Sequence, residues 1–175
     1  MDLDETEGGG LNAQAMTGPG DILIRPSRPE DAEALRAILR DTFESTWRPN
    51  LSEAAAQAFL TEDRPGAYVH ERGVWFWVAE VAGQVVGLVD WEGDFINALH
   101  VRADHARQGV GARLMDHAEA GIAESGNAEA RLETDTFNTR SQAFYAARGY
   151  REAGRYPDEE WTSGLTTVLL VKALG

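Results

Sequence analysis

The sequence predicts an α/β domain of the α+β type, a mixed and mostly antiparallel central sheet flanked by helices. Three observations carry that reading. Short apolar β-type runs alternate with helical-period segments from Ile22 onward. Trp75–Val81 and Val85–Trp91 read as a hairpin that continues into Phe95–Val101, so neighbouring strands run antiparallel. The helix at Gly109–Ala123 carries Val110, Leu114, Ala118 and Ile122 on one face, which must cover a sheet.

Met1–Gly20 holds five glycines, four acids and no base, with no apolar period, and reads as a disordered tail ahead of one domain, 21–175. Ile22–Arg25 is a strand. Ser27 with Glu30 fits a capping box, and Ala34, Leu35, Ile38, Leu39 and Phe43 follow at helical spacing. A second helix starts at Ser52 and passes through Phe59 and Leu60. The hairpin turns at Gly83-Gln84, and Trp75 and Trp77 share one strand face by alternation. Ala130–Thr134 is a strand by its place in the alternation. Thr139 and Gln142 form another capping box, for a helix ending near Gly149; strands from Tyr150 and over Leu165–Val171 close the sheet.

Composition narrows the function. The chain has 175 residues, with 16 Lys and Arg against 29 Asp and Glu, a net charge of -13. That acidity argues against duplex nucleic acid and anionic membrane surfaces. With no Cys, disulfides, zinc ribbons and thiol nucleophiles are excluded. No apolar run approaches the roughly 20 residues of a membrane span, and no export signal is visible, so a cytoplasmic protein is expected.

The most informative segment is Leu99–Leu114, a strand feeding a loop and then a helix that opens on Gly109 and Gly111. Amides at a helix start lack partners, the helix dipole is positive there, and glycines allow close approach, so a pyrophosphate fits. Arg102, Arg107 and Arg113 against Asp104 make a local cation island in an acidic chain. A dinucleotide fold is excluded because Leu114 occupies the third glycine position and the loop after Val101 is too long.

This segment resembles the pyrophosphate loop of the GNAT superfamily of acetyl-CoA-dependent N-acetyltransferases. Leu99 and Val101 match the strand, and Gly109 and Gly111 the glycines; Ala106 stands where Gln or Arg is usual, with Arg107 next. Asn138, Phe144, Tyr145, Gly149 and Tyr150 match the family's later strand–helix unit, and Ile24-Arg25-Pro26 with Asp31-Ala32 resembles its start. The resemblance implies a GNAT-like acyl-CoA N-acyltransferase fold and direct acetyl transfer from acetyl-CoA to a primary amine, with no metal.

Main-chain groups of Leu99, His100 and Val101 would hold the pantetheine arm. Amides around Gln108, Gly109, Val110, Gly111 and Ala112, with Arg107 beside them, would hold the pyrophosphate. Asn138 would contact the cofactor arm, or serve as a helix cap. Tyr145 would protonate the leaving thiolate, or pack as an aromatic with a wet hydroxyl.

Asp90, Glu92, Asp94 and His100 are candidate bases, and Trp47, Trp91 and Asp94 candidate acceptor-pocket residues. Arg140, Arg148, His105 and His117 read as solvent-facing. A small-molecule or peptide amine acceptor is expected, with a homodimer common in the resembling family. The rival function is a non-catalytic acyl-CoA sensor or partner-binding module of the same fold.

Overall fold

A computed structural model describes residues 20–158 and 163–175. The tail expected at Met1–Gly20 lies outside the described residues except for Gly20. Seven strands form one sheet: β1 (Ile22–Pro26), β2 (Trp77–Val81), β3 (Gln84–Glu92), β4 (Phe95–Val101), β5 (Glu129–Asp135), β6 (Arg151–Pro157) and β7 (Thr166–Ala173). Their order is β1-β2-β3-β4-β5-β7-β6, and every neighbouring pair is antiparallel except β4 and β5. The helices are α1 (Ala32–Thr42), α2 (Glu53–Thr61), α3 (Arg64–Arg72), α4 (Val110–Glu124) and α5 (Thr139–Ala147). This is the mixed, mostly antiparallel sheet with flanking helices that the alternation predicts.

Two apolar layers hold it together. Leu35, Ile38 and Leu39 of α1 and Val69 of α3 pack on Val78 and Leu88 from one face. On the other face Val110, Leu114, Ala118 and Ile122 of α4 meet Val89, Ile96, Ala130 and Leu132, with Tyr145 of α5 joining them.

Several local details depart from the sequence expectation, each because a distant partner wins. At the start of α1 the capping carboxylate belongs to Asp31, not Glu30. It accepts the Arg28 N–H at 2.7 Å and grips the Arg25 guanidinium at 2.8 and 3.0 Å. Ser27 instead donates its hydroxyl to the Gly73 carbonyl. The hairpin turns one residue earlier, at Ala82-Gly83, whose φ values of 49° and 80° suit a type I′ turn.

Strand β2 starts at Trp77. Trp75 lies in the preceding turn at 64% exposure, so the two indoles do not share a strand face. Helix α3 was unread in the sequence; its signal is Asp63, which accepts the Gly66 N–H at 3.3 Å, followed by Pro65 in the first turn.

Two residues read as solvent-facing are drawn inward. Arg148 reaches Asp116 at 2.7 Å and Glu119 at 2.6 Å, and Glu119 also accepts from Tyr150 and Lys172. His117 lies against Trp77, with ring centroids 3.9 Å apart, and near Trp91 at 5.9 Å.

One irregularity positions the site. On β3, Asp90 pairs with Ala98 and the next residue, Trp91, with Ile96, leaving Asn97 as an extra residue on β4. Such a bulge bends its strand and sharpens the twist. Strand β4 pairs with β5 only at Phe95↔Arg131 and Ile96↔Leu132. Beyond Ile96 the two strands part, leaving a gap in the middle of the sheet.

Candidate active site

The gap exposes backbone. From Ala98 to Val101, β4 is paired only with β3, so its β5-facing edge offers unused main-chain donors and acceptors. Past Val101 a 3₁₀ turn, Ala103–His105, leads to the start of α4, where Arg107 and Gly109 take positive φ of 63° and 85°. The Arg113 N–H bonds the Gly109 carbonyl at 3.1 Å as the helix begins, so the amides of Gly109, Val110, Gly111 and Ala112 have no intrahelical acceptor.

Gly109 is required by its backbone angle. Gly111 is different: an added Cβ would sit 3.6 Å from the Phe144 ring and 3.8 Å from Val101, ordinary contact distances. The cation island shrinks on folding. Arg102 pairs with Asp104 at 3.0 Å and Arg113 donates to the Ile22 carbonyl at 3.3 Å, whereas Arg107 is exposed and forms no ion pair among the described residues.

Helix α5 carries two more sequence candidates. Asn138 is the N-cap, its side-chain oxygen accepting the Ser141 N–H at 3.1 Å. The Thr139–Gln142 box does not form; Gln142 donates to the Asp135 and Thr136 carbonyls at 3.1 and 3.0 Å. Asn138 thus fills the capping role, while its amide NH₂ donates to no group among the described residues. Tyr145 is 7% exposed, edge-on to Phe144 and Tyr150. Its hydroxyl has no hydrogen-bond partner among the described residues, and burial pushes its pKa up.

On the α1–α3 face the gap opens into a cavity of about 670 Å³, within the usual size for a small-molecule site. Phe43, Trp47, Phe59, Tyr68 and Phe95 supply aromatic walls, and His100, Glu133 and Asp135 polar ones. Trp47 arrives through a π-helical turn, Phe43–Trp47, which ends α1. Its indole N–H donates to Asp135 at 2.9 Å.

The other two pocket candidates lie elsewhere. Trp91 is on the opposite face under α4, where an added Cβ at Gly121 would come within 2.7 Å of its ring. Asp94 sits in the β3–β4 turn, paired with Arg131 at 2.9 Å, which holds its carboxyl below the usual range. Strand alternation and turn geometry, neither fixed by residue type, decide both placements.

The candidate bases separate clearly. Asp90 is fully buried and accepts from Tyr68 at 2.7 Å, Arg72 at 2.8 and 3.0 Å, and Asn97 at 3.1 Å. It is a clamp between α3 and the bulge, its four donors all supplied by the protein. Glu92 is an exposed partner of Arg72.

His100 faces the cavity. Its Nδ1 lies 2.8 Å from the Thr42 hydroxyl, which in turn lies 3.2 Å from the Leu39 carbonyl.

Burial lowers the His100 pKa to about 4. Below pH 6.5 the unfolded chain takes a proton that the folded chain resists, so stability present above that pH is lost as pH falls towards 4. Desolvation lowers the His117 pKa too and adds in the same direction. The thermal midpoint is expected to fall between pH 6.5 and 4. His100→Gln flattens that fall by up to ~3 kcal/mol at the acid end, checked by melts across the range.

Among the described residues, no cluster of three His, Cys, Asp or Glu could hold a metal ion, and no helix is long and apolar enough to cross a membrane.

Comparison with known proteins places this architecture. Residues 32–150 match the model of the acetyltransferase (GNAT) family. The chain is 38% identical over 96 residues to a blasticidin-S acetyltransferase of Streptomyces morookaense, covering 54% of this chain and 68% of that protein. A crystal structure of a GCN5-related N-acetyltransferase from Rhodopseudomonas palustris superposes with a TM-score of 0.74 at 25% identity, over 87% of this chain and 95% of the other. The PaiA N-acetyltransferase of Thermoplasma acidophilum, solved in complex with coenzyme A, shares the fold at a TM-score of 0.69 and 18% identity, over 87% of this chain and 99% of the other.

Proposed function

The chain belongs to the acetyltransferase (GNAT) family, and on that footing we propose that it moves an acetyl group from acetyl-CoA directly to a primary amine. The observation that carries this is the unpaired β4 edge, followed after one 3₁₀ turn by the open amides at the start of α4. A pantetheine arm is an extended chain of amides, which suits a strand edge, and a diphosphate suits helix-start N–H groups. The residues present therefore fit the cofactor: Leu99, His100 and Val101 by main chain for the arm, Gln108–Ala112 for the diphosphate, with Arg107 and Asn138 alongside.

Bound there, acetyl-CoA supplies an activated acyl thioester. The chain's own groups do the rest. The cavity admits the amine to the gap between β4 and β5. Tyr145 gives its proton to the leaving sulfur as the acyl carbon passes to nitrogen; the proton released from nitrogen leaves through the cavity to water, and the Tyr145 oxygen takes a proton back from water before the next turnover. Burial keeps the Tyr145 phenol protonated across the physiological range, so the group that would meet the leaving sulfur is the neutral phenol. His100 stays neutral there too, so no imidazolium repels a cationic acceptor. Without a Cys, no acetyl-thiol enzyme intermediate is available.

Isothermal titration should show acetyl-CoA and CoA binding, and a thiol-release assay across an amine panel should show turnover. Absence of binding at millimolar coenzyme overturns the reading. Binding with no thiol release from any amine identifies instead an acyl-CoA-binding module of the same fold.

A further inference from the structure

Each fully buried carboxylate among the described residues carries its own counter-ion. Asp31 has Arg25, Asp90 has Arg72, and Glu119 has Arg148 and Lys172. This follows the rule that a charge removed from water is paired.

Asp135 breaks it. Half-buried in the cavity wall at the end of β5, it takes one neutral donor, the Trp47 indole, on one oxygen and forms no ion pair among the described residues. Burial pushes its pKa up, and the nearby charges of Glu133 and Asp158 push the same way. The cations that line the cavity are engaged elsewhere: Arg72 with Asp90 and Glu92, Arg64 with Glu62.

We propose that the missing counter-ion of Asp135 is part of the acceptor, which carries a second, non-reacting cationic group besides the amine that is acetylated. The inference rests on the acetyltransferase reading and names the acceptor class for the same site. Pairing Asp135 with the reacting nitrogen itself would hold a proton on that nitrogen and oppose attack. A second ammonium or guanidinium has no such conflict. The rest of the cavity suits the apolar spacer between two cations. Trp47 stands beside Asp135 as a half-buried aromatic wall, and Phe59, stacked on the buried Phe43 with centroids 3.8 Å apart, lines the same cavity, apolar surface that suits methylenes.

The test compares α,ω-diamines of about three to six carbons with monoamines of the same length, by thiol release with acetyl-CoA. The best diamine is expected to exceed its monoamine in kcat/KM by about tenfold or more. In Asp135→Asn, whose side-chain oxygen still accepts from Trp47, that ratio is expected to collapse towards one. A residue serving only the fold would lower both substrates together and leave the ratio intact.

An unchanged ratio in the variant, or equal turnover of diamine and monoamine by the wild type, overturns this inference and leaves the acetyltransferase reading standing. Coenzyme binding without turnover of any amine overturns both.

Discussion

Replacing Tyr145 with phenylalanine is expected to lower kcat for acetyl transfer by about 10²–10⁴-fold while changing CoA affinity by less than about twofold. The separation follows from where the residue sits. Its ring belongs to the core beneath α4, edge-on to Phe144 and Tyr150, and phenylalanine keeps that contact. Its hydroxyl bonds no protein group among the described residues, so removing it leaves no orphaned partner and the melting temperature should hold. Pre-steady-state thiol release with titrated CoA binding measures both quantities. Wild-type kcat in the variant would make Tyr145 a packing residue.

Gly111→Asp is expected to weaken CoA binding by at least about 100-fold, near 2.7 kcal/mol. The position lies in the first turn of α4, among amides without intrahelical acceptors. A carboxylate there competes for those N–H groups and repels the diphosphate. Gly111→Ala is the control, because its methyl meets Phe144 at an ordinary 3.6 Å. Calorimetric titration of both variants, with melts to verify folding, separates charge from bulk. Unaltered affinity in Gly111→Asp would remove the amide crown from the coenzyme site.

Much of this was legible in the residues. Segments with a strong period emerged nearly where the sequence puts them: β4 at Phe95–Val101, α4 one residue after Gly109, and α2 with its Ser52 cap. The glycine-opened helix was readable for the same reason, since positive φ and missing side chains are properties of the residue itself. Helix α3 went unread because its pattern is short and Gly66 and Pro65 interrupt it. Trp91 lies under α4 and Asp94 in the β3–β4 turn, away from the cavity, because aromatic and acidic character says what a side chain can do but not which face it takes.

The chain's own order of residues thus determined the element types, the direction of the sheet and the anion-ready helix start, all consequences of neighbours within a few positions. The tertiary structure decided the β4 bulge at Asn97, the parting of β4 from β5, and the cavity between them. It also decided which carboxylate lacks a cation. Trp47 and Asp135 meet across 88 positions of chain. The charge balance at such a point is set by which distant groups folding brings into reach, so no local pattern announces it.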